Sequence, residues 1–396
     1  MAAVRAVITV TFLSISQGVQ ILDASAADRV SLERSEKGVK REEWTPQASG
    51  EEIDADDEDV PSGDVVINAK QGSIALKTWY GRMGNNIIQL VNAILFCQME
   101  GLSTLVLPEA KEVACHDKSK ACRAFDILNL PKEIKITPRP DLKLDCNFLN
   151  MKSFFGRCLA VTKSLFRQTA AQHLRPLMSD NWRQACMEER ARQDDAHDIR
   201  ELTIHLRNGD ARNFANRTQV SPYAMYASCS FFKKVLADHG FQSARVITQK
   251  DMSHPCISVL REHLGTKLAV QSESLEEDSC AIINARHLAV GSWSTFPQVL
   301  ELFNDRLETN FWPVPLKATN YTSTLHQIGW GPCNPVVEGN AVTYVYQIDG
   351  MQEGHVSMDD KTGVDYFSRM PLEKVTLRSV CDEESEAPFE GAVSLR

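Results

Sequence analysis

The chain has 396 residues, 43 of them Lys or Arg against 52 Asp or Glu, for a net charge of −9. With no basic run, that balance excludes a general nucleic-acid binder and a polybasic membrane-surface anchor. The length allows two ordinary domains with tails, and the 43% hydrophobic content is that of a soluble globular protein.

The chain opens on a segment of targeting type. Arg5 precedes an apolar run over residues 6–15, and Ala24-Ser25-Ala26 follows as a small-residue cleavage pattern. The run is shorter than the ~20 residues that a membrane-spanning helix needs. Residues 1–26 therefore read as a signal peptide. Weakly apolar residues up to Leu22 leave a marginal signal anchor, and a buried N-terminal helix, as alternatives. Residues 27–72 read as an acidic disordered linker, because residues 51–59 are almost all acidic and like charges in a block repel.

The globular part is expected from Ser73. A Gly-rich turn at residues 81–84 leads into a helix on which Ile87, Leu90, Val91, Ile94 and Leu95 recur at helical spacing. Gly101 ends it, and residues 104–107 form a short strand closed by Pro108. Residues 115–140 read as loop and 151–195 as mainly helical. A regular alternation then begins. Strands are expected at 202–206, 245–248, 268–271 and 288–290. Helices are expected at 223–238 (ended by Gly240), 256–263 (ended by Gly265), 276–285 and 297–303. That alternation implies a parallel α/β sheet. The predicted architecture is α/β and GT-B-like, with two Rossmann-like domains, 73–200 and 201–315, facing a cleft. Residues 316–381 read as a small β-containing appendage with strands at 341–348 and 372–380, and 382–396 as an acidic tail.

Eleven cysteines suit an oxidising compartment, and no CxxC pair points to zinc or thioredoxin-type chemistry. Cys115 and Cys122 stand close enough to bridge one loop; the odd count leaves at least one thiol outside any internal bridge. Asn216-Arg217-Thr218 and Asn320-Tyr321-Thr322 are N-glycosylation sequons. Together these features predict a secretory-pathway lumen, Golgi or ER, or secretion. Membrane association is expected only if the N-terminal segment is a retained anchor.

Three segments carry the chemistry. In IHLRNGD, residues 204–210, a buried strand opens into a polar turn, placing His205, Arg207 and Asp210 where an α/β sheet presents ligands. A planar, always-charged guanidinium there suits a diphosphate. An Arg–Asp pair closing a tight turn is the plain alternative. GRMGNN, residues 81–86, is either an ordinary strand–helix turn or a helix N-terminus facing an anion. GSWSTF, residues 291–296, places Ser294 and Thr295 at a helix start, as phosphate ligands or as simple N-caps. Upstream, Asp278 lies on an expected helix with Glu276 and Glu277 beside it, and these residues alone read as the polar face of that helix.

HLRNGD resembles the HxRxGD-type motif shared by α-1,2-fucosyltransferases, α-1,6-fucosyltransferases and protein O-fucosyltransferases. GRMGNN is similar to the GRxGN segment near the start of the same enzymes, with Asn86 where Gln is usual, and the STF run matches their third motif in order. The resemblance spans residues 75–312. It implies transfer of fucose from GDP-fucose to a hydroxyl of a glycan or glycoprotein acceptor, inverting and metal-independent, with no required cofactor. It implies Arg207 and Asp210 as the catalytic pair, Arg207 on the β-phosphate and Asp210 orienting. His205, Asp278, Ser294, Thr295, Arg82 and Asn85 would bind the donor, Asp278 (with Glu276 and Glu277 as competitors) pairing with guanine N1–H and N2–H₂, and Asn85 and Asn86 would lie toward the acceptor. No metal ligand is expected; the Asp56-Asp57 pair lies in the acidic linker. The base is open among Asp210, His116 and the 115–125 loop. Competing readings are a transferase using another GDP-sugar and a non-catalytic secreted glycan-binding protein on the same fold.

Overall fold

The computed structural model describes residues 65–68, 72–79, 83–108, 127–144, 146, 154, 163–195, 200–207, 226–249, 253–291, 294–315, 341–351 and 361–381. The expected signal segment, the acidic run, the acidic tail, the Cys115–Cys122 loop and both sequons lie outside these residues. Among the described residues no helix is long and apolar enough to cross a membrane.

The first sheet has four strands in the order β1-β2-β3-β4: β1 (Val65–Asn68), β2 (Ser73–Leu76), β3 (Thr104–Val106) and β4 (Glu133–Lys135). The linker expected over 27–72 thus ends early, because residues 65–68 pair antiparallel with β2, Val65 opposite Leu76. Val, Val and Ile in succession favour the pleated backbone. Only β2 and β3 are parallel. A parallel pair needs a crossover, and α1 (Met83–Glu100) supplies it.

The expected helix at 87–95 is this α1, and it is buried on every side from Met83 to Gln98 except at Asn85. A helix apolar all round belongs inside a fold. Two of its buried amides are bonded through their NH₂ groups: Gln89 Nε2 donates to the Thr78 carbonyl and Asn92 Nδ2 to the Phe154 carbonyl.

The second sheet has seven strands: β5 (Glu201–His205), β6 (Ser243–Ile247), β7 (Leu268–Gln271), β8 (His287–Val290), β9 (Thr309–Pro315), β10 (Val342–Ile348) and β11 (Val375–Cys381). Their order is β11-β10-β9-β8-β5-β6-β7. Every adjacent pair is parallel except β10–β11. Counted from β5 as the first strand, the order is 3-2-1-4-5-6 followed by one antiparallel edge strand, the doubly wound order with its switch point between the first and fourth strands. The strands expected in an appendage at 316–381 are therefore continuous with this sheet, β10 pairing along the whole of β9. The expected strand at 372–380 begins only at Val375, since residues 372–374 form a 3-10 turn after Pro371.

The helices joining these strands are α2 (Lys163–His173) and α3 (Asp180–Asp195) before β5, then α4 (Cys229–His239), α5 (Pro255–Leu264), α6 (Leu275–Ile283), α7 (Thr295–Glu301) and α8 (Lys361–Arg369). The helix expected from residue 223 starts at Cys229, because Ala227 N–H is bonded to the Gly291 carbonyl and Ser228 is still extended. Glycines 101, 240 and 265 stand directly after α1, α4 and α5, as expected.

Two cores result. One face of the second sheet (Leu202, Ile204, Leu206) packs on Phe231, Phe232 and Val235 of α4, Leu260 of α5 and Phe367 of α8. The other face (Ile247, Leu288, Val290) joins α6, α7, α1, α3 and the first sheet in one core. The division expected near residue 200 is therefore bridged by a continuous apolar interior. Disulfides tie α3 to α6 (Cys186–Cys280) and α4 to α5 (Cys229–Cys256). Among the described residues, Cys97 is a free, buried thiol, its pKa pushed by burial up to about 12. It is therefore inert at neutral pH.

Candidate functional site

The carboxyl edge of the second sheet gathers the polar residues. β5 is buried along nearly its whole length, as a central parallel strand should be. Side chains alternate between faces. Leu202 and Ile204 serve the α4 core, so Thr203 and His205 face the α7 side. His205 ring packs on Phe296 of α7 at 5.6 Å between centroids. The strand end is pinned on both sides. Gly291 N–H donates to the His205 carbonyl at 3.1 Å, and Leu206 N–H to the Ile247 carbonyl at 2.9 Å. Arg207 follows, half-buried, one residue beyond Leu206.

His205 is 7% exposed and its Nδ1 has no hydrogen-bond partner. Burial first, then the nearby charge of Arg207 and then His254, hold its pKa down to about 3. It is neutral at physiological pH and keeps a polar atom unspent. Three hydroxyls along the same edge of the sheet are in the same condition. Ser228 Oγ at the start of α4, Thr248 Oγ1 just past β6 and Ser272 Oγ just past β7 are buried without a partner. Buried polar atoms are nearly always bonded, so a ligand or water at this edge can complete the bonding of these four. Sequence reasoning passed over Ser228, Thr248 and Ser272. The signal available for the latter two was their place at the ends of expected strands, where such sheets bind ligands.

On the other side of the switch point, Ser294 is the N-cap of α7, its Oγ accepting from Phe296 N–H at 3.4 Å. Thr295 Oγ1 donates to Asn85 Oδ1 at 2.8 Å. That bond joins the N-terminus of α1 to that of α7, across the two halves of the chain. The approach is close: a Cβ on Gly84 would stand 2.5 Å from Thr295 Oγ1, and one on Gly291 would stand 2.7 Å from the Phe232 ring. Only glycine fits at either point.

Asp278 lies in the first turn of α6, half-buried. Its Oδ1 accepts from Gln271 Nε2 and from Glu273 N–H, both at 3.1 Å. Burial raises its pKa, and those two bonds lower it. Glu277, its competitor in the sequence, is engaged in a capping box with Ser274. That bonding holds the Glu277 carboxyl below the usual range.

The structure thus brings His205, Arg207, Ser294, Thr295 and Asn85 to the switch point, and puts Asp278 two strands along the same edge. Asn86 is fully buried within α1. Arg82, Asp210, His116, Asn216 and Asn320 lie outside the described residues. A groove of about 630 Å³ lies at the carboxyl ends of β2 and β3, lined by Leu76, Lys77, Leu107, Pro108 and Lys132 among others, and none of the expected site residues lines it. Among the described residues no group of His, Cys, Asp and Glu is arranged to hold a metal ion.

No protein-family model and no curated protein matches the sequence. Among solved structures, a crystal structure of POFUT1 in complex with GDP matches with a TM-score of 0.34 at 11% identity, covering 60% of this chain and 96% of that one. A high-resolution structure of the same complex gives 0.25 at 12%, covering 35% of this chain and 47% of that one, so the match spans about half of that protein. POFUT1 in complex with GDP-fucose gives 0.25 at 13%, covering 35% and 45%. Likeness at this level leaves the chemistry to the residues themselves.

Proposed function

We propose that this protein is a glycosyltransferase using a GDP-sugar donor, GDP-fucose by the resemblance of its motifs, and a hydroxyl of a glycan or glycoprotein as acceptor. One observation carries the reading. His205 ends the first strand of a doubly wound sheet and Arg207 follows it, Ser294 and Thr295 follow its fourth, and the crevice between those strands is where such sheets hold nucleotides. The unpaired Nδ1 of His205 belongs to the first of those strands, and the unpaired Ser228 Oγ adjoins Ala227, whose N–H is bonded to the Gly291 carbonyl just past the fourth.

In the proposed reaction the acceptor oxygen bonds to the anomeric carbon as its bond to the β-phosphate oxygen breaks, and GDP departs with the electron pair. The acceptor proton passes to a base that the motifs leave open. Arg207 neutralises the charge developing on the leaving phosphate; a preorganised cation aimed at developing charge is usually the largest catalytic term. Neutral His205 contributes hydrogen bonding without adding charge. Asp278 reads the guanine edge. Inversion and independence from metal follow from the resemblance and belong to the proposal. A luminal or secreted address fits the disulfides Cys186–Cys280 and Cys229–Cys256, which persist in oxidising compartments.

The test is calorimetry with GDP, GDP-fucose, GDP-mannose and a UDP-sugar, followed by transfer assays. Arg207→Ala is expected to lose about 10² to 10³ in turnover while staying folded. Arg207→Lys should recover little, because a lysine cannot bind two oxygens in a fork. Full transfer activity in folded Arg207→Ala refutes the mechanism. A wild-type protein that binds no guanine nucleotide refutes the donor class and leaves the glycan-binding reading.

A further inference from the structure

We infer that Gln271 is a positioning residue: it holds the Asp278 carboxylate in the orientation in which its second oxygen recognises the guanine base of the donor. The inference rests on the function proposed above and goes beyond it by naming what sets base specificity.

Gln271 is the last residue of β7 and is buried, 8% exposed. Its carbonyl accepts from Thr248 N–H at 3.1 Å, which fixes its backbone to the end of β6. Its Nε2 donates to Asp278 Oδ1, and Glu273 N–H donates to the same oxygen. Both donors fall on Oδ1, so Oδ2 is the oxygen left for a ligand. A carboxylate has two free torsions, and a pair of donors on one oxygen removes both. The helix turn that carries Asp278 is equally constrained. Ser274 and Glu277 close a capping box, and Cys280, one half-turn on, is bridged to α3.

The same bonds keep the carboxylate ionised. A guanine edge offers two N–H donors, so only the ionised form accepts from both. Burial opposes ionisation, and the charges of Glu273 and Glu277 oppose it further; the Gln271 and Glu273 donors work against them. Arg192 of α3 lies near Glu273 and Glu277, the two acidic groups that face Asp278 from its own turn. With the Gln271 donor gone, burial and the Glu273 and Glu277 charges are opposed less, and Asp278 takes up a proton at higher pH than in the wild type.

The experiment measures GDP and IDP affinity by calorimetry at pH 7.5 and pH 5.5. IDP lacks the exocyclic amine, so the GDP/IDP ratio reads the second bond to the carboxylate. Gln271→Met keeps the length and removes the donor. It is expected to weaken GDP about tenfold, the effect of losing one hydrogen bond to a charged group. It should also compress the GDP/IDP ratio and make GDP binding fall more steeply than in the wild type between pH 7.5 and 5.5. A merely structural role would lower both affinities together and leave the ratio and the pH profile alone. If Gln271→Met does not fold, Gln271→Leu, which likewise offers no donor, carries the same test. A wild type that prefers GDP, with a variant matching it in ratio and pH profile, overturns the inference and leaves the proposed function standing. A wild type that binds neither nucleotide overturns both.

Discussion

Replacing Gly84 by alanine places one methyl group at the contact between α1 and α7. The added Cβ would lie 2.5 Å from Thr295 Oγ1, 2.7 Å from the Thr295 carbonyl carbon and 2.8 Å from its oxygen, where ordinary contact begins at 3.4 Å. Two of those three atoms are backbone, so no rotamer change relieves the clash, and the helix termini must separate by about half an ångström or more. Forced overpacking of this kind costs about 1–3 kcal/mol. Against it stands the helix propensity gained in Gly→Ala, at most about 1 kcal/mol. The net expectation is a loss of about 1–2 kcal/mol, read as a lowered urea midpoint at unchanged slope. Separation also strains the 2.8 Å Thr295–Asn85 bond at the switch point, so GDP affinity should fall with stability. Thr295→Ala in the same background removes the hydroxyl contact and leaves the two backbone contacts, so it should restore less than half of the loss. Asn85→Ala, which breaks the bond without adding bulk, should cost about 1 kcal/mol. The sign decides the matter: a Gly84→Ala protein more stable than the wild type would show that the helix termini do not touch as described.

Two further outcomes are expected. The Cys229–Cys256 bridge closes a separation of 27 residues between two fully buried sulfurs. Loop-closure entropy makes it worth about 3.5 kcal/mol, so Cys229→Ala with Cys256→Ala should lower the unfolding free energy by roughly that amount, and an unchanged midpoint refutes the estimate. His205 titrates near its ordinary 6.5 in the unfolded chain and about 3 in the folded one. Between those values the unfolded chain holds the extra proton, so stability falls as pH falls through the window. Against His205→Phe, the wild type should lose about 1.4 kcal/mol more per pH unit from pH 5.5 to 4, and parallel stability profiles would refute a buried neutral imidazole.

The parts of this fold written in local pattern were legible directly. Ile87, Leu90, Val91, Ile94 and Leu95 announce α1, and the βα alternation after residue 200 announces a parallel sheet, because periodicity is set by which faces a segment buries. The positions of His205, Arg207, Ser294 and Asp278 at strand or helix ends could likewise be read from where apolar runs stop. The strand VVIN at 65–68 was lost against the acidic run before it, and its partner across the hairpin gave the deciding information.

Other features exist only as contacts between distant segments. The membership of β10 in the main sheet depends on its pairing with β9. The packing of Gly84 on Thr295, the two donors on Asp278 and the unpaired Nδ1 of His205 are equally invisible in a linear string. Residue types along the chain by themselves determined which segments become strands and helices and which ends carry polar chemistry, since hydrophobic period and capping act over a few residues. Tertiary structure alone decided strand order, the switch point and the identity of the oxygen that Asp278 has left to offer, since those depend on burial and hydrogen bonds that form only when remote segments meet.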